Sequence, residues 1–308
     1  MIMHKIYVNN NEITPICGGL EWSSNVDTLG VQLSFIVAYY EGKEYVKPGD
    51  IVLVRENQNT IFVGVAVTVD IDGRTSRSVK CFDFAFYLNK SETIIQFKNQ
   101  TVSSAIQELC KRFNVKSNVV SIPLKVKKIY KDEKVSDIIK DLLEQASKKT
   151  GIKYRMEMRS STLFIEKQTN LVVKAATDYI MNPQRSLSIE NMINSVMVVS
   201  DKSDVIKVSA TASSSTNIKK YGLLQMVESS DAKNKAQAQN LANQLLKQFN
   251  KVAETGSVEL LGNANVRAGR ILKLVEPVTG FKGNYLIKSA NHKSSGGIYT
   301  MQLNLEVI

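Results

Sequence analysis

One short device occurs twice, 220 residues apart. Pro48-Gly49-Asp50-Ile51-Val52-Leu53-Val54 and Ala268-Gly269-Arg270-Ile271-Leu272-Lys273-Leu274 each run from a glycine turn into a β-rich segment. A second strand follows each (Ile61 to Asp70; Asn284 to Ala290), then a polar turn bearing glycine (Asp72-Gly73; Ser294-Ser295-Gly296-Gly297). An alternating strand closes each unit (Ser78 to Phe84; Tyr299 to Val307). A repeat constrains the architecture more than any single element, because one supersecondary unit must be accommodated twice. The expectation is two related β-domains at the ends of one chain. Chance reuse of glycine turns and Val/Ile strands, common in β-proteins, stays open as the alternative.

The segments between these units differ in period. Residues 1–90 hold short alternating runs (Val31 to Val37, Ile51 to Arg55, Ile61 to Asp70, Ser78 to Tyr87) without helical spacing, as in a sandwich or barrel. In 91–168, Val102, Ala105, Ile106, Leu109 and Phe113 share one helix face, and Val135, Ile138, Ile139, Leu142 and Ala146 repeat that spacing. Ser103 and Ser136 are placed to cap these helices, and Gly151 to stop the second. Ile152 to Met158 and Thr162 to Lys167 predict a hairpin across Arg159-Ser160-Ser161, completing a small α/β insert.

A third region, 169–308, opens with strands at Ile193 to Ser200 and Val205 to Ala210, joined through Asp201 to Asp204. A Ser/Thr/Asn loop over Thr211 to Asn217 comes next. The spacing of Ala238, Leu241, Ala242, Leu245 and Phe249 then predicts a helix from Asp231 to about Asn250, capped by Ser229 or Ser230. The last β-unit begins at Gly256 to Leu261. The fold class expected is therefore α+β, mainly β, with an inserted α/β domain between two β-barrel or sandwich domains.

At 308 residues the chain exceeds the size of a typical single core. No apolar run reaches the roughly 18 residues of a membrane-spanning helix, and Met1 to Ile6 lacks the pattern of a secretory signal. Cys17, Cys81 and Cys110 are odd in number and widely spaced, which argues against disulfides and zinc; Cys81 and Cys110 read as small core residues. The net charge of +11 rests on 31 lysines against 9 arginines. Arginine is the side chain suited to bidentate phosphate contact. Lys125-Val126-Lys127-Lys128-Ile129-Tyr130-Lys131 alternates as a strand with one solvated face, so nucleic-acid binding is the weaker reading.

No motif carries chemistry. His4 and His292 lack partners at metal-ligand spacing, and no Walker loop, G-x-S-x-G, G-x-G-x-x-G or H-E-x-x-H occurs. Gly18-Gly19 and Gly296-Gly297 read as turns between strands. Glu21, Asp27, Asp83, Glu254 and Glu259 are carboxylates that nothing in the sequence gathers, although two at the right separation would serve a glycosidase. Trp22 stands alone. Tyr39, Tyr40 and Tyr45 cluster around Glu41-Gly42-Lys43, where they either pack on their own sheet or anchor a protein contact. The expectation is a non-enzyme with no catalytic, cofactor or metal residues.

The C-terminal third carries Asp231-Ala232-x-x-x-Ala236, Asn240-Leu241-Ala242, Leu245-Leu246 and Asn250. It continues through Gly256-Ser257-Val258-x-Leu260-x-Gly262, Ala268-Gly269-Arg270-Ile271, Gly283-Asn284-Tyr285-Leu286-Ile287-x-Ser289, His292 and Tyr299-Thr300-Met301-x-Leu303. Together with Asn191 to Val196, this resembles the baseplate hub proteins of contractile phage tails and phage-tail-like bacteriocins. The nearest group is the XkdQ/YqbQ-like proteins of Gram-positive prophages, distant relatives of the late-control protein D family.

That resemblance implies two tail-tube-like β-domains (1–90 and 169–308) around the insert (91–168). It implies a homotrimeric ring whose six β-domains match a six-fold tail tube above and a three-fold spike below. Its implied partners are the tube protein, the spike and other baseplate proteins, one of them of LysM type, with no membrane insertion and nucleic acid only passing through the lumen. The place implied is the host cytoplasm during assembly, then the particle. A cell-wall-binding or peptidoglycan-degrading tail component is the alternative, and no length remains for a fused lytic domain.

Overall fold

A computed structural model describes residues 4–40, 42–175, 179–200, 207–230 and 234–308. By contact the chain divides into two compact units, one of residues 1–184 and 257–306 with 308, the other of 185–256 with 307. The class is α+β, mainly β.

The first unit opens with β1 (His4–Val8), β2 (Asn11–Glu12), β3 (Cys17–Asn25), β4 (Val31–Ala38), β5 (Ile51–Glu56), β6 (Asn59–Asp72) and β7 (Ser76–Asp83). Gly18 and Gly19 lie inside β3, at a register shift against β4, and not in a turn between strands. A short helix the sequence period did not signal, α1 (Ala85–Lys90), leads into β8 (Glu92–Thr101). Then come α2 (Val102–Arg112), β9 (Lys116–Val119), β10 (Lys125–Lys134), α3 (Val135–Thr150), β11 (Tyr154–Arg159) and β12 (Thr162–Lys167).

The two predicted helices form because their apolar stripes meet one another and a sheet. Ala105, Ile106 and Leu109 of α2 and Ile138, Ile139 and Leu142 of α3 are fully buried in one core with Phe97 and Tyr130. Gly151 closes α3 in the left-handed conformation. The caps differ from expectation. Thr101 accepts from the Ser104 amide at the start of α2, whereas Ser103 donates to the Ile122 carbonyl and Ser136 is buried in the first turn of α3. Both serines sit two residues past the cap position, inside the first turn. β10 shows the expected charged face: Val126 and Tyr130 point inward, Lys125, Lys127 and Lys131 outward, and Lys128 pairs with Asp141 at 2.8 Å.

The chain continues through β13 (Val172–Val173) and β14 (Met181–Ser188). The second unit holds β15 (Ser195–Ser200), β16 (Lys207–Ser213), α4 (Ser215–Tyr221), β17 (Gln225–Ser229) and α5 (Lys235–Phe249). Asp201 to Ile206 and Asp231 to Lys233, which include the predicted joint and the predicted start of the long helix, lie outside the described residues. Asn234 caps α5 by accepting from the Gln237 amide, in place of Ser229 or Ser230; Ser229 ends β17. Thr211 to Asn217, expected as a loop, is the end of β16 and the start of α4, with Ser214 as cap. Small residues explain it: Ala210 and Ala212 pack against Ala238 and Ala242 of α5, where bulkier side chains would hold strand and helix apart.

Four strands complete the first unit: β18 (Ala253–Leu261), β19 (Ile271–Glu276), β20 (Phe281–Ser295) and β21 (Ile298–Val307). Among the described residues they join the N-terminal strands in one 13-stranded sheet. Its hydrogen-bonded order contains the same series twice. The N-terminal module runs β3-β4-β7-β6-β5-β1 and the C-terminal module β14-β18-β21-β20-β19-β13. β20 pairs with β3 and joins the modules, from Ser289 opposite Asn25 to Ser294 opposite Leu20. The copies differ at their ends, since β1 is antiparallel to β5 and β13 parallel to β19 over two residues.

The turns that open the two meanders match bond for bond. Gly49 N donates to the Ala66 carbonyl at 2.8 Å and Ala66 N to the Asp50 carbonyl at 2.9 Å. Gly269 N donates to the Ile287 carbonyl at 2.7 Å and Ile287 N to the Arg270 carbonyl at 2.9 Å. Both glycines have positive φ, 96° and 85°, which a side chain would strain. Gly49 and Gly269 thus occupy equivalent turns.

Candidate functional site: an aromatic and charged seam

The pairing of β20 with β3 brings together residues that look solitary in the sequence. Trp22 lies opposite His292 in the register, and the two rings stack 4.8 Å apart with an interplanar angle of 1°. Tyr299 of β21 donates its hydroxyl hydrogen to His292 Nδ1 at 2.9 Å, because Nε2 is committed as donor to the Val266 carbonyl, also at 2.9 Å. That fixes one neutral tautomer. Burial pushes the His292 imidazole down to about 4. His4, from the far strand β1, meets Trp22 edge-on at 5.3 Å and Tyr299 at 4.8 Å. Its Nδ1 contacts Ser294 Oγ at 2.9 Å, while Nε2 stands 3.6 Å from Glu56. Burial lowers the His4 imidazole and raises the Glu56 carboxyl, so both lean towards their neutral forms.

A cluster of buried charge sits beside the Gly269 turn. Glu157, on β11, receives Arg270 at 2.7 and 3.3 Å and lies 3.5 Å from Arg267 and 3.4 Å from Arg159. Burial would raise its carboxyl, but the three guanidinium groups outweigh that and hold it below the usual range. Arg267 ties three segments together. It donates to the carbonyls of Ile61 in the N-terminal module (2.8 Å), Met158 in β11 (3.2 Å) and Ala264 beside it (3.2 Å). Arg155 of β11 reaches the Val26 carbonyl at the end of the seam, 3.2 Å away. Nearby, Asp83 accepts from the amides of Val31 (2.8 Å) and Ala85 (3.0 Å), and burial pushes its carboxyl up to about 7.

Most of these groups are spent on other parts of the fold, but His4 Nε2, Glu56 Oε1, Arg155 Nε and Arg159 Nε are buried without a hydrogen-bond partner. The arginines clamp β11 to strands of both modules, and beside them Ser294 Oγ, His4 and Glu56 stand in a row. Among the described residues no group of three or more His, Cys, Asp or Glu side chains is placed to hold a metal. Of the carboxylates singled out in the sequence, Glu21 pairs with Lys293 at 3.0 Å, Glu254 with Arg185 at 2.9 Å, and Glu259 accepts from Asn182 at 3.0 Å. Asp27 lies in the turn after β3, where its amide donates to Asn25. Glu21 and Glu259 share the rim of an open groove of about 390 Å³ with Trp22 and His292.

The tyrosine cluster divides. Tyr39 lies under the Arg77 guanidinium at 3.8 Å, Tyr45 packs against the module core, and Tyr40 is exposed. Cys81 and Cys110 are buried core residues whose thiols burial pushes up to about 12 and about 11. No described helix is long and apolar enough to cross a membrane.

What the sequence reading missed is the gathering of His4, Trp22, His292 and Tyr299, and the Arg267–Glu157 cluster. The available signal was the repeat itself. Matching Gly49 to Gly269 puts Arg267 and Arg270 where the N-terminal copy has Lys47 and Asp50, an exchange towards arginine in a lysine-rich chain.

This architecture recurs in solved tail proteins. The 43 kDa tail protein of prophage MuSo2 from Shewanella oneidensis aligns with a TM-score of 0.75 over 99% of this chain and 98% of its own, at 11% identity. The E. coli protein c3393, a type VI secretion component described as similar to the T4 tail proteins gp27 and gp5, aligns with a TM-score of 0.61. That alignment covers 97% of this chain and 76% of the other, at 11% identity. The chain thus shares its fold with these tail and secretion proteins.

By sequence the chain belongs to the YqbQ-like family, whose profile matches residues 20–306. It is 27% identical over 279 residues to YqbQ of Bacillus subtilis (strain 168), covering 87% of this chain and 83% of that one. It is 25% identical over 268 residues to XkdQ of the phage-like element PBSX from the same strain, covering 84% and 82%.

Proposed function

We propose that this chain is a structural hub of a contractile-tail baseplate. Three copies form a ring that joins the tail tube to the central spike. The observation that carries the reading is the duplicated module. Two copies of one strand order per chain, taken three times, give six similar units facing a six-fold tube, while the ring itself keeps three-fold symmetry towards the spike. The kinship with a protein of a phage-like element, and the fold shared with tail and secretion-spike proteins, support the same reading. The modules are proposed as 1–90 and 169–308, with 91–168 as the insert.

The partners proposed are the tube protein, the spike and neighbouring baseplate proteins, one of LysM type. Assembly takes place in the host cytoplasm, after which the protein stays with the particle. The buried, mutually paired charges of the seam suit a part that transmits load and performs no chemistry. The test is to carry an epitope tag on this chain in an assembled particle and locate it by immunogold electron microscopy. Label confined to the spike end of the tube is the expected result. Label along the tube, or absent from particles, overturns the hub reading, and a clear zone on a peptidoglycan zymogram overturns the non-enzymatic part.

A further inference from the structure

We propose that Ser294 is a modification site, a serine hydroxyl activated by His4 and Glu56 that takes the acyl group of a small activated ester or thioester. Such a site goes beyond the hub reading and does not rest on it.

Three strands far apart in the sequence build the row. His4 on β1 lies opposite Glu56 on β5, so the two side chains share one face of the sheet. Ser294, at the end of β20, meets them from the other module. Its Oγ is 2.9 Å from His4 Nδ1, and His4 Nε2 is 3.6 Å from Glu56 Oε1. Hydroxyl, imidazole and carboxylate in that order make an activated nucleophile: a base within hydrogen-bond reach, and a third group behind the base. The imidazole is held in place edge-on to Trp22 and Tyr299, with its side chain 4% exposed.

The unsatisfied atoms of the row point the same way. His4 Nε2 and Glu56 Oε1 are buried, and neither has a hydrogen-bond partner. Nδ1 accepts from Ser294 only when Nε2 carries the hydrogen, and that hydrogen then faces the carboxylate. At rest the pair is too far apart for a hydrogen bond and leaves two buried polar atoms unmet. When Nδ1 takes a proton, the imidazolium gains Glu56 as its counter-charge. The pair is therefore most favourable in the state that proton transfer creates. Burial also lowers the His4 imidazole, which keeps Nδ1 free to accept.

The pocket beside the row sets the substrate class. His4 and Ser294 line an opening of about 260 Å³, with Ile6, Cys17 and Leu20 as its apolar wall. At Gly18 and Gly296 an added Cβ would meet nothing within 4 Å, so the space is free. Apart from His4, no described side chain of the lining carries charge, because burial pushes the Cys17 thiol up to about 12. A short, neutral acyl chain fits. In the step, Ser294 Oγ bonds to the acyl carbon, the bond from that carbon to the leaving oxygen or sulfur breaks, and the Oγ proton passes to His4 Nδ1. The leaving group departs as an anion and takes the proton from His4. An activated donor is needed, since no charged side chain on the wall helps a poor leaving group depart. The acyl chain then covers Nδ1 from water, so the product is a lasting acyl-serine and not turnover.

The test treats the full-length chain at neutral pH with p-nitrophenyl butyrate and, separately, with a fluorophosphonate, and locates the modified residue by peptide mass mapping. A burst of about one p-nitrophenolate per chain and a label on Ser294 are the expected results. Ser294→Ala should abolish both. His4→Phe keeps a ring against Trp22 and Tyr299 but removes the base, and should slow labelling about 100-fold or more. Glu56→Gln should slow it as well, with urea midpoints showing that each variant is folded; an unchanged rate overturns the part given to Glu56. A folded parent that takes no label, a label only on Cys17 or lysine, or equal labelling of the parent and Ser294→Ala overturns the proposal. Release that runs far past one equivalent and vanishes in Ser294→Ala upholds the nucleophile and overturns both the lasting acyl-serine and the non-enzymatic part of the hub reading. The position of the hub in the particle is read by immunogold label alone and stands or falls separately.

Discussion

The turns at Gly49 and Gly269 share one backbone design and differ in everything their side chains do. Around Gly49 the flanking residues are exposed, no atom would crowd an added Cβ, and Asp50 serves locally, accepting from Lys47 N at 2.7 Å and Asn9 Nδ2 at 2.8 Å. Around Gly269 the flanks are Arg267 and Arg270, which reach β11, and a Cβ would overlap the Arg155 guanidinium. Glycine and the ladder fix the turn. The residues on either side decide whether it is a surface corner or the centre of a clamp. A duplicated module can therefore keep its shape while only one copy ties down β11.

The contrast predicts its largest effect at Glu157. Replacing it (Glu157→Ala) leaves Arg267 and Arg270 buried without their carboxylate, a loss of about 3–5 kcal/mol. Asp50→Ala, at the matching turn, removes exposed hydrogen bonds worth about 1 kcal/mol. Urea unfolding of the two variants checks the pair, and equal losses would break the distinction between clamp and corner.

The glycines come next. Gly49→Ala meets only the strain of a positive φ, about 1–2 kcal/mol. Gly269→Ala meets the same strain and must also displace Arg155, so its urea midpoint should fall clearly further. If Gly49→Ala proves the costlier, the two turns are not the same device.

The modules also differ in where they bury a titratable group. Asp83 lies at the end of β7 in the N-terminal module, and His292 on β20 in the C-terminal one. Their pH effects oppose one another. The His292 value is lowered from about 6.5 to about 4, so its contribution is complete above pH 6.5 and is lost as the pH falls towards 4. The Asp83 value is raised from 3.8 to about 7, so its contribution is complete below about pH 4 and is lost as the pH rises through 7. Between pH 7 and 4 the two offset each other. Asp83→Asn leaves His292 alone, and its stability should fall more steeply on acidification than that of the parent, read as urea midpoints at pH 7, 5.5 and 4.

What was legible in the sequence follows the same division. The helices at Val102 and Val135, the hairpin after Gly151 and the repeated turn declare themselves through local spacing, and each forms where its period places it. β14 does not: Met181 to Ser188 is polar and mostly exposed, so it has no alternation to show. α1 is too short for a period. The seam was invisible because its members lie up to 295 residues apart, from His4 to Tyr299, and their meeting depends on β20 crossing to β3. A lone histidine in a sequence carries no sign of the strand that will lie beside it.

The smallest predicted effect tests whether burial is what separates the clamp from other ion pairs. Lys128 and Asp141, in the insert, approach as closely as Arg270 and Glu157, 2.8 against 2.7 Å, but their side chains are 42% and 33% exposed. Asp141 also accepts from the Tyr130 hydroxyl at 2.5 Å and from Gln145 at 2.6 Å, so its carboxylate stays partnered when the lysine goes. Lys128→Ala should then cost about 0–1 kcal/mol by urea unfolding, and less at high salt. A loss approaching that of Glu157→Ala would mean that close approach alone sets the cost, and the seam would have no special claim as the part that holds β11 in place.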